Sequence, residues 1–331
     1  MLDVSVNNRI KLALNFKEPD SVPVCDFIDN PKIFRYFSHS KDLSIENKVR
    51  AYHELGIDVC WQFERRRNYR HEGLLKRLQK FALRKPKMEA LNTEELNEEM
   101  EDFSQQQSLF APYTYLAMSA EGILSVAYKA LGYEEFCRKM YVELIQVERL
   151  IDIYAENLYQ RAFLFSGADL GPIFFINDDI AYDKGLMFSK VFLEQQWLPR
   201  IKRSIEPLKE KGIKVILHSR GNITEIVDSL INFGIDGIHP IDKQSGMDIG
   251  ILKKTYAKTL LLFGNIDISD SNDSFSIEEK TKRCIKNASF DGGHFIGSAK
   301  GIGKNLRMRE VFAYFTSLKE YGKYSPSEID S

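Results

Sequence analysis

Short apolar runs recur along the whole chain, separated by longer segments in which hydrophobic positions are spaced differently. Each run has about five to eight residues and is rich in Val, Ile, Phe and Tyr, which is typical of strands buried on both faces. The pattern therefore predicts a strand in each run. The runs are Val22–Ile28, Gly56–Phe63, Tyr113–Ser119, Gly171–Asn177, Ile213–His218, Ile235–Pro240, Thr259–Gly264 and Gly293–Gly297.

Segments with the helical period alternate with the later runs. This order of strand, helix and short loop predicts parallel strands with helices on the outside. Eight such strands favour an α/β fold, a (β/α)8 TIM barrel formed as a single domain by residues 1–331. A doubly wound open sheet is the alternative, and its dinucleotide-binding form is disfavoured because no Gly-x-Gly-x-x-Gly follows the first run. The helical segments are Lys190–Lys211, Asn222–Phe233, Met247–Tyr256, Ser276–Asn287 and Lys304–Tyr321.

A charged excursion separates the second and third predicted strands. Its first half, Arg65–Lys87, holds ten basic residues and one acidic residue, and its second half, Glu89–Asp102, holds seven acidic residues and no base. It contains too few apolar residues to fold as a separate domain. Two interpretations stay open: a solvated excursion whose halves attract each other, or a basic lid over an anionic substrate.

Composition excludes several classes of protein. Hydrophobic residues make up 44% of the chain and charged residues 28%, as in ordinary globular proteins. The 46 Lys and Arg residues nearly balance the 47 Asp and Glu residues, giving a net charge of −1. We therefore do not expect nucleic acid as a partner, since its binding normally requires a basic excess.

The N-terminus and the cysteines indicate a cytoplasmic protein without a membrane anchor. The first residues lack the basic start and apolar core of a signal peptide, and no apolar run approaches the length of a membrane span. Cys25, Cys60, Cys137 and Cys284 form no Cys-x-x-Cys pair, so reduced thiols are the simplest interpretation. We expect Cys25 and Cys60 to be small buried hydrophobic residues.

Polar residues cluster at the ends of the predicted strands or directly after them. In a (β/α)8 barrel the reactive groups lie at the carboxyl ends of the strands, so these residues are expected to face one cavity. Most of them also have a structural interpretation, such as a helix cap or a turn, and we keep both open. The strand-end candidates are Asp26, Asp178, Asp179, His218, Arg220, Asn265, Asp267 and Lys300.

The order of these motifs resembles the uroporphyrinogen decarboxylase superfamily, which includes cobalamin-dependent methyltransferases. The resemblance covers nearly the whole chain and implies the (β/α)8 barrel predicted above. It is carried by Arg9, the segment Asn15–Val24, Asp179, Gly185, Phe192, Pro199, His218-Ser219, Gly221-Asn222, Gly264–Asp267 and Gly292-Gly293.

The resemblance implies a zinc site in the methyltransferase branch, made by a His-x-Cys and a second Cys. Here His218 matches the histidine, but Arg220 stands at the Cys position, and no Cys stands in the Ser298–Lys300 region. We therefore expect no zinc–thiolate site, although His218 could bind metal in another set, with His239 and a carboxylate. In the decarboxylase branch, which needs no metal, Ser189 resembles a substrate-binding serine and Lys300 falls near a substrate-binding histidine.

Three functions remain open. The first is an enzyme that moves a methyl group between a small-molecule substrate and a corrinoid on a partner protein, with catalytic residues Asp178, Asp179, His218 and Asp267. The second is a decarboxylase or lyase, in which Arg220, Lys300 and the Arg65–Arg67 run bind an acidic substrate and Asp178 or Asp179 protonates the carbanion-like intermediate. Further substrate-binding candidates are Asp26, Ser189 and Asn265. The third is a non-catalytic barrel that binds a metabolite. The oligomeric state is also open, with a homodimer as one option.

Overall fold

The structure is a computed structural model of the 331-residue chain and describes residues 2–63, 93–269 and 276–324. The basic half of the charged excursion, Arg65–Lys87, lies outside the described residues. Most of its acidic half forms the first part of a helix, Thr93–Phe110.

Short strands and longer helices alternate along the chain. The strands are β1 (Cys25–Asp26), β2 (Ile28–Asp29), β3 (Val59–Cys60), β4 (Tyr115–Leu116), β5 (Met118–Glu121), β6 (Ile173–Asn177), β7 (Ala181–Tyr182), β8 (Gly185–Leu186), β9 (Lys214–His218), β10 (Gly237–His239), β11 (Leu261–Phe263), β12 (His294–Phe295) and β13 (Ile302–Gly303). The helices are α1 (Val4–Leu14), α2 (Pro31–Phe37), α3 (Ile45–Leu55), α4 (Thr93–Phe110), α5 (Ile123–Leu131), α6 (Tyr133–Val142), α7 (Leu144–Gly167), α8 (Lys190–Phe192), α9 (Leu198–Glu210), α10 (Val227–Asn232), α11 (Ile249–Tyr256), α12 (Ile277–Ala288) and α13 (Met308–Tyr321). One π-helical turn, Leu193–Trp197, joins α8 to α9.

The hydrophobic pattern predicted the main strands and the helices from Lys190 onward, but it did not predict α1–α7. Each of the eight apolar runs contains a strand, and each predicted helical segment contains a helix. The strands are shorter than the runs, because only part of each run is paired. The pattern did not indicate β2, the hairpin of β7 and β8, or β13, which are each two residues long.

The described residues form two compact units, and the first contains residues 2–63, 106–117, 236–269 and 276–324. In this unit β1, β3 and β4 pair in parallel, and so do β10, β11 and β12. A parallel bridge between Val24 and Ile296 links the two sets, and β13 pairs with β2. Fully buried strand residues such as Val59, Leu262 and Phe295 form its core.

The second unit contains residues 93–105 and 118–235. Here β6 is the central strand, paired in parallel with β5 on one side and β9 on the other. Residues Ile173–Ile176 of β6 and Val215–Leu217 of β9 are fully buried, as predicted for strands covered on both faces. Parallel strands alternating with helices in both units match the predicted α/β class. That the whole chain forms one domain stays a prediction.

Two sequence-based expectations about smaller features can be checked directly. Cys25 and Cys60 are buried free thiols, as predicted. Among the helices that the structure describes, none combines the length and apolar character that crossing a membrane requires.

Candidate functional site

Asp178 directly follows β6, and its side chain is fully buried. Its carboxylate accepts hydrogen bonds from the backbone N–H groups of Leu124 and Ser125, at 3.0 and 2.6 Å, and from the indole Nε1 of Trp197 at 2.9 Å. Leu124 and Ser125 lie in the first turn of α5, whose N-cap residue makes no side-chain hydrogen bond of its own. Asp178 therefore supplies the anionic cap for the free N–H groups of this helix.

Two local features allow this arrangement. Gly122 precedes α5, and a Cβ atom there would lie only 2.3 Å from Cβ of Asp178, so glycine leaves room for the carboxylate. The π-helical turn ends at Trp197 and places its indole within reach. Burial raises the pKa of Asp178 to about 6, although the hydrogen bonds from Ser125, Leu124 and Trp197 oppose this rise. With three donors already bound, this carboxylate has little capacity left for a substrate.

Asp179 faces Arg220 instead. Its Oδ1 accepts a hydrogen bond from the backbone N–H of Arg220 at 2.9 Å, and its Oδ2 lies 3.1 Å from Nη2 of the guanidinium. Burial alone would raise the pKa of Asp179, but the hydrogen bonds and the charge of Arg220 lower it below the ordinary value. The Arg220 side chain is 74% exposed, against 22% for Asp179. Asp179 is therefore ionised at neutral pH, and the cation beside it is open to solvent.

The segments that follow β6 and β9 are held in close contact. Ser219 Oγ accepts a hydrogen bond from the backbone N–H of Ile180 at 3.0 Å. Gly221 has a positive φ of 86°, and a Cβ atom there would lie 2.6 Å from the backbone carbonyl carbon of Ala181. This close approach requires glycine and keeps Asp179 opposite Arg220.

His218 is the last residue of β9 and is half-buried. Burial lowers its pKa to about 4, an effect that Asp179 opposes and Arg220 reinforces. The imidazole is therefore neutral at pH 7. His218 is in register with Asn177 of β6, and Asn177 in turn with Glu121 of β5. Residues in register on adjacent strands present their side chains on one face of the sheet, so these three form a polar row.

A hydroxyl pair on α5 completes the surroundings of Asp179. Ser125 Oγ accepts a hydrogen bond from the backbone N–H of Asp179 at 2.8 Å, and the Tyr128 hydroxyl donates to the Asp179 carbonyl at 3.3 Å. Tyr128 also packs against the rings of Tyr133 and Phe188, with centroids 5.9 and 6.2 Å away. The search of strand ends missed Ser125 and Tyr128 because they lie on a helix. Their spacing of three residues on α5 was the available signal.

A second charged group lies in the first unit, after β11 and β12. Lys300 Nζ lies 3.1 Å from Oδ2 of Asp267 and donates a hydrogen bond to Oε1 of Gln244 at 2.9 Å. Lys300 is 49% exposed, whereas Asp267 is 10% exposed. Asp267 also accepts a hydrogen bond from the backbone N–H of Ser269 at 2.9 Å, which is the turn-holding role left open above.

Asn265 belongs to the same loop, and its side chain contacts residues within the first unit. Its Nδ2 donates to the Ile241 carbonyl at 3.1 Å, and the thiol of Cys284 lies 3.5 Å from its Oδ1. Behind the loop, His294 Nε2 donates to the Gly264 carbonyl at 2.7 Å. A carbonyl can only accept, so this bond fixes the neutral imidazole tautomer of His294.

Asp26 is fully buried at the end of β1. It accepts hydrogen bonds from the Ser298 backbone N–H and hydroxyl, at 2.9 and 2.7 Å, from the Phe27 N–H at 2.9 Å and from the Tyr314 hydroxyl at 3.4 Å. Burial raises its pKa to about 7, against the opposing effect of these donors. Its described contacts are internal to the unit, so a role in substrate binding stays a prediction.

Ser189 caps a helix. Its hydroxyl accepts a hydrogen bond from the backbone N–H of Phe192 at 3.2 Å, at the start of α8. This contact explains the serine structurally, and its predicted substrate contact stays a prediction.

A groove of about 570 Å³ lies elsewhere in the second unit, lined partly by Met100, Phe163 and Pro207, and none of the candidate residues lines it.

The donor set after β9 does not fit a zinc–thiolate site. The position two residues beyond His218 carries the permanently charged guanidinium of Arg220, which cannot bind a cation. His239, the other imidazole considered, is buried with its ring 4.7 Å from that of Trp61. Within residues 2–63, 93–269 and 276–324, no group of three or more His, Cys, Asp and Glu side chains is arranged to hold a metal ion.

The structure thus brings the candidates together in two groups. Asp179, His218 and Arg220 lie together after β6 and β9 in the second unit, with Asp178 buried behind them. Asp267 and Lys300 form the group in the first unit, with Asn265 on the same loop. That both groups face one shared cavity stays a prediction.

Solved structures give a first comparison. A methyltransferase from Methanosarcina mazei matches with a TM-score of 0.70 and 17% identity, covering 96% of this chain and 99% of that chain. A B12-independent methionine synthase from Shewanella sp. W3-18-1 matches with a TM-score of 0.45 and 15% identity, covering 67% and 64%. A D-psicose 3-epimerase from Clostridium cellulolyticum H10 matches with a TM-score of 0.47 and 9% identity, covering 91% and 98%. Together with the parallel alternation of strands and helices, the first likeness confirms the predicted α/β fold of the TIM-barrel type.

Sequence comparison gives the family. No curated protein sequence matches the chain. The family model of uroporphyrinogen decarboxylase (URO-D) matches residues 88–321, which is more than two thirds of the chain and includes most of the residues described above. The chain therefore belongs to the uroporphyrinogen decarboxylase family.

Proposed function

We propose that this chain is an enzyme that transfers a methyl group between a small substrate and a corrinoid carried by a separate protein. The observation that carries the proposal is His218 at the end of β9, beside the ion pair of Asp179 and Arg220. The fold likeness to a methyltransferase over nearly all of both chains supports the same choice. The partner's corrinoid would donate or accept the methyl group.

The residues after β6 and β9 can perform the remaining chemistry. When a thiol or hydroxyl substrate accepts a methyl group it must lose its proton, and the neutral imidazole of His218 can take that proton. The carboxylate of Asp179 then stabilises the positive charge formed on the ring, in line with its effect on the pKa of His218. The exposed guanidinium of Arg220 can hold an anionic group of the substrate and so orient it.

A decarboxylase acting on an acidic substrate is the second candidate, favoured by the exposed cations Arg220 and Lys300. It also needs a proton donor for the carbanion that loss of CO2 leaves. Asp179 has a lowered pKa and is ionised at neutral pH, and Asp178 is buried with three donors on it. The surroundings of these two carboxylates therefore favour the methyltransferase over this alternative.

Free methylcobalamin and 3-mercaptopropionate provide a direct test. We expect the protein to accelerate demethylation of the corrinoid, followed by visible absorbance, and to form the S-methyl thioether. The variant His218→Ala should lose this acceleration. If no methyl transfer occurs and CO2 is released from an acidic substrate, the decarboxylase is correct. If neither reaction occurs although small acids bind, the chain is a binding protein.

A further inference from the structure

Asn177 is the single polar residue of β6 and lies at its carboxyl end. It is the last residue of β6, which lies between β5 and β9, and is in register with His218 of β9 and Glu121 of β5. The residues immediately before it, Ile173–Ile176, are all fully buried and apolar. The apolar strand β6 therefore ends in an amide side chain, and this amide lies in the polar row with His218.

One half of this amide is bound and the other is not. Nδ2 donates a hydrogen bond to Oγ of Ser119 at 2.7 Å, which fixes the orientation of the amide plane. The Oδ1 atom is buried and has no hydrogen-bond partner among the residues that the structure describes. Buried acceptors in folded proteins almost always have a partner, either in the protein or in a bound molecule. An acceptor held in place beside His218 therefore points to a ligand.

We propose that Asn177 is a substrate-binding residue whose Oδ1 accepts a hydrogen bond from an N–H or O–H group of a small anionic substrate. The anionic end of that substrate is held by Arg220, so the inference rests on the site assigned under the proposed function. The substrate class is then a small acid that also carries a hydrogen-bond donor, such as a hydroxy acid or an amino acid. The Ser119 hydroxyl is a positioning group, because it orients the amide.

Matched series of small acids test this assignment. The probes are glycolate, 3-hydroxypropionate and 4-hydroxybutyrate, each compared with the alkanoate in which a methyl replaces the hydroxyl and with the O-methyl ether. Binding is followed by NMR at the C2 proton of His218, assigned with His218→Gln. For at least one chain length we expect the hydroxy acid to bind about tenfold more tightly than the alkanoate, as one hydrogen bond allows. The ether, which can only accept, should show no advantage.

Variants separate this inference from the proposed site. Asn177→Leu should abolish the preference for the hydroxyl while leaving the alkanoates bound, whereas Arg220→Ala should weaken all the acids. Asn157→Leu is the matched control, because Asn157 lies on α7 and its Oδ1 also lacks a partner among the described residues. It should leave the preference unchanged.

Each outcome has a distinct meaning. If the acids bind through Arg220 but the wild-type protein shows no preference for the hydroxyl, or prefers the ether, the role of Asn177 is wrong and the site stands. If no acid binds, or if Arg220→Ala has no effect on binding, the site itself is wrong and the inference falls with it. The wild-type comparison needs no variant to fold.

Discussion

Asp178 and Asp179 are adjacent in the chain, yet their carboxylates have different surroundings and opposite pKa shifts. Burial against the start of α5 raises the pKa of Asp178 to about 6, whereas Arg220 lowers the pKa of Asp179. The pair therefore does not share one proton as two close carboxylates would. One carboxylate fixes the position of α5, and the other holds an exposed cation, so we expect substitutions at the two positions to have different effects.

The first prediction concerns the room that Gly122 leaves for Asp178. Gly122→Ala places a methyl group 2.3 Å from Cβ of Asp178 and should displace the cap of α5. We expect a loss of roughly 2 to 4 kcal/mol in the free energy of unfolding, from overpacking and the lost hydrogen bonds. Urea denaturation followed by circular dichroism measures it.

The control is Gly167→Ala at the end of α7, where an added Cβ has no neighbour within 4 Å. It should be neutral or stabilise by up to about 1 kcal/mol, because alanine favours the helix. Equal effects at the two glycines would contradict the interpretation of Asp178 as the cap of α5.

The second prediction concerns Arg220. Its side chain is 74% exposed, so its ion pair with Asp179 should contribute no more than about 1 kcal/mol to stability. Arg220→Ala should therefore leave the melting temperature nearly unchanged while lowering methyl-transfer activity by about tenfold or more, since a charged hydrogen bond to the substrate is lost. Calorimetry and the absorbance assay measure the two effects.

Arg138→Ala provides a matched loss of an exposed arginine. Arg138 pairs with Glu135 at 2.7 Å on α6 and is 53% exposed. This variant should change neither activity nor stability appreciably. A clear loss of stability in Arg220→Ala, with ligand binding intact, would show that the Asp179 pair is structural.

The third prediction is that the purified protein carries little zinc. Arg220 occupies the position where the resemblance implies a cysteine ligand, and its guanidinium repels a metal ion bound beside His218. Elemental analysis of protein purified without chelators should give well under one zinc per chain. Stoichiometric zinc that disappears in His218→Ala would mean that another ligand set binds the metal.

The sequence predicted the strands and the polar residues that follow them, because a buried apolar run and the residue that ends it are local features. Partners distant in the chain were harder to predict. Trp197 reaches Asp178 only because a π-helical turn precedes α9, and nothing in the hydrophobic period indicates that turn. Ser298 was found near a predicted strand, but its bond to Asp26, across 272 positions, depends on which strands are neighbours.

The packing also changes the interpretation of two predicted site residues, Asp26 and Ser189. Asp26 lies near the end of the first predicted strand, where an exposed substrate-binding residue would also lie, but it is buried and bonded to Ser298 and Tyr314. Ser189 matches the setting of a substrate-binding serine, yet its hydroxyl caps α8. Residue type and position in the sequence made both residues candidates for the site. Only the packing shows which groups already occupy their hydrogen-bonding atoms.

The last prediction concerns pH and Asp26, whose pKa is raised by burial to about 7. In the unfolded chain this carboxyl ionises near its ordinary pKa of 3.8, whereas in the folded protein it stays protonated until about pH 7. Its contribution to stability is therefore fully present below about pH 4, and it is lost as the pH rises to 7. A rise of the pKa from 3.8 to about 7 corresponds to roughly 4 kcal/mol of stability.

Asp26→Asn removes this titration. The difference in unfolding free energy between wild type and variant should therefore change by a few kcal/mol between pH 4 and pH 7. The change should favour the wild type at low pH. Subtracting the variant cancels other titrations, including those of His218 and His294, whose lowered pKa values make stability fall towards acid instead. Urea unfolding at intervals of half a pH unit measures the difference. Asp20→Asn is the control, because Arg9 lowers the pKa of Asp20 below 3.8, so this carboxyl titrates below about pH 4 and the difference should stay nearly constant between pH 4 and pH 7. A difference between wild type and Asp26→Asn that does not vary with pH would show that Asp26 ionises normally in the folded protein.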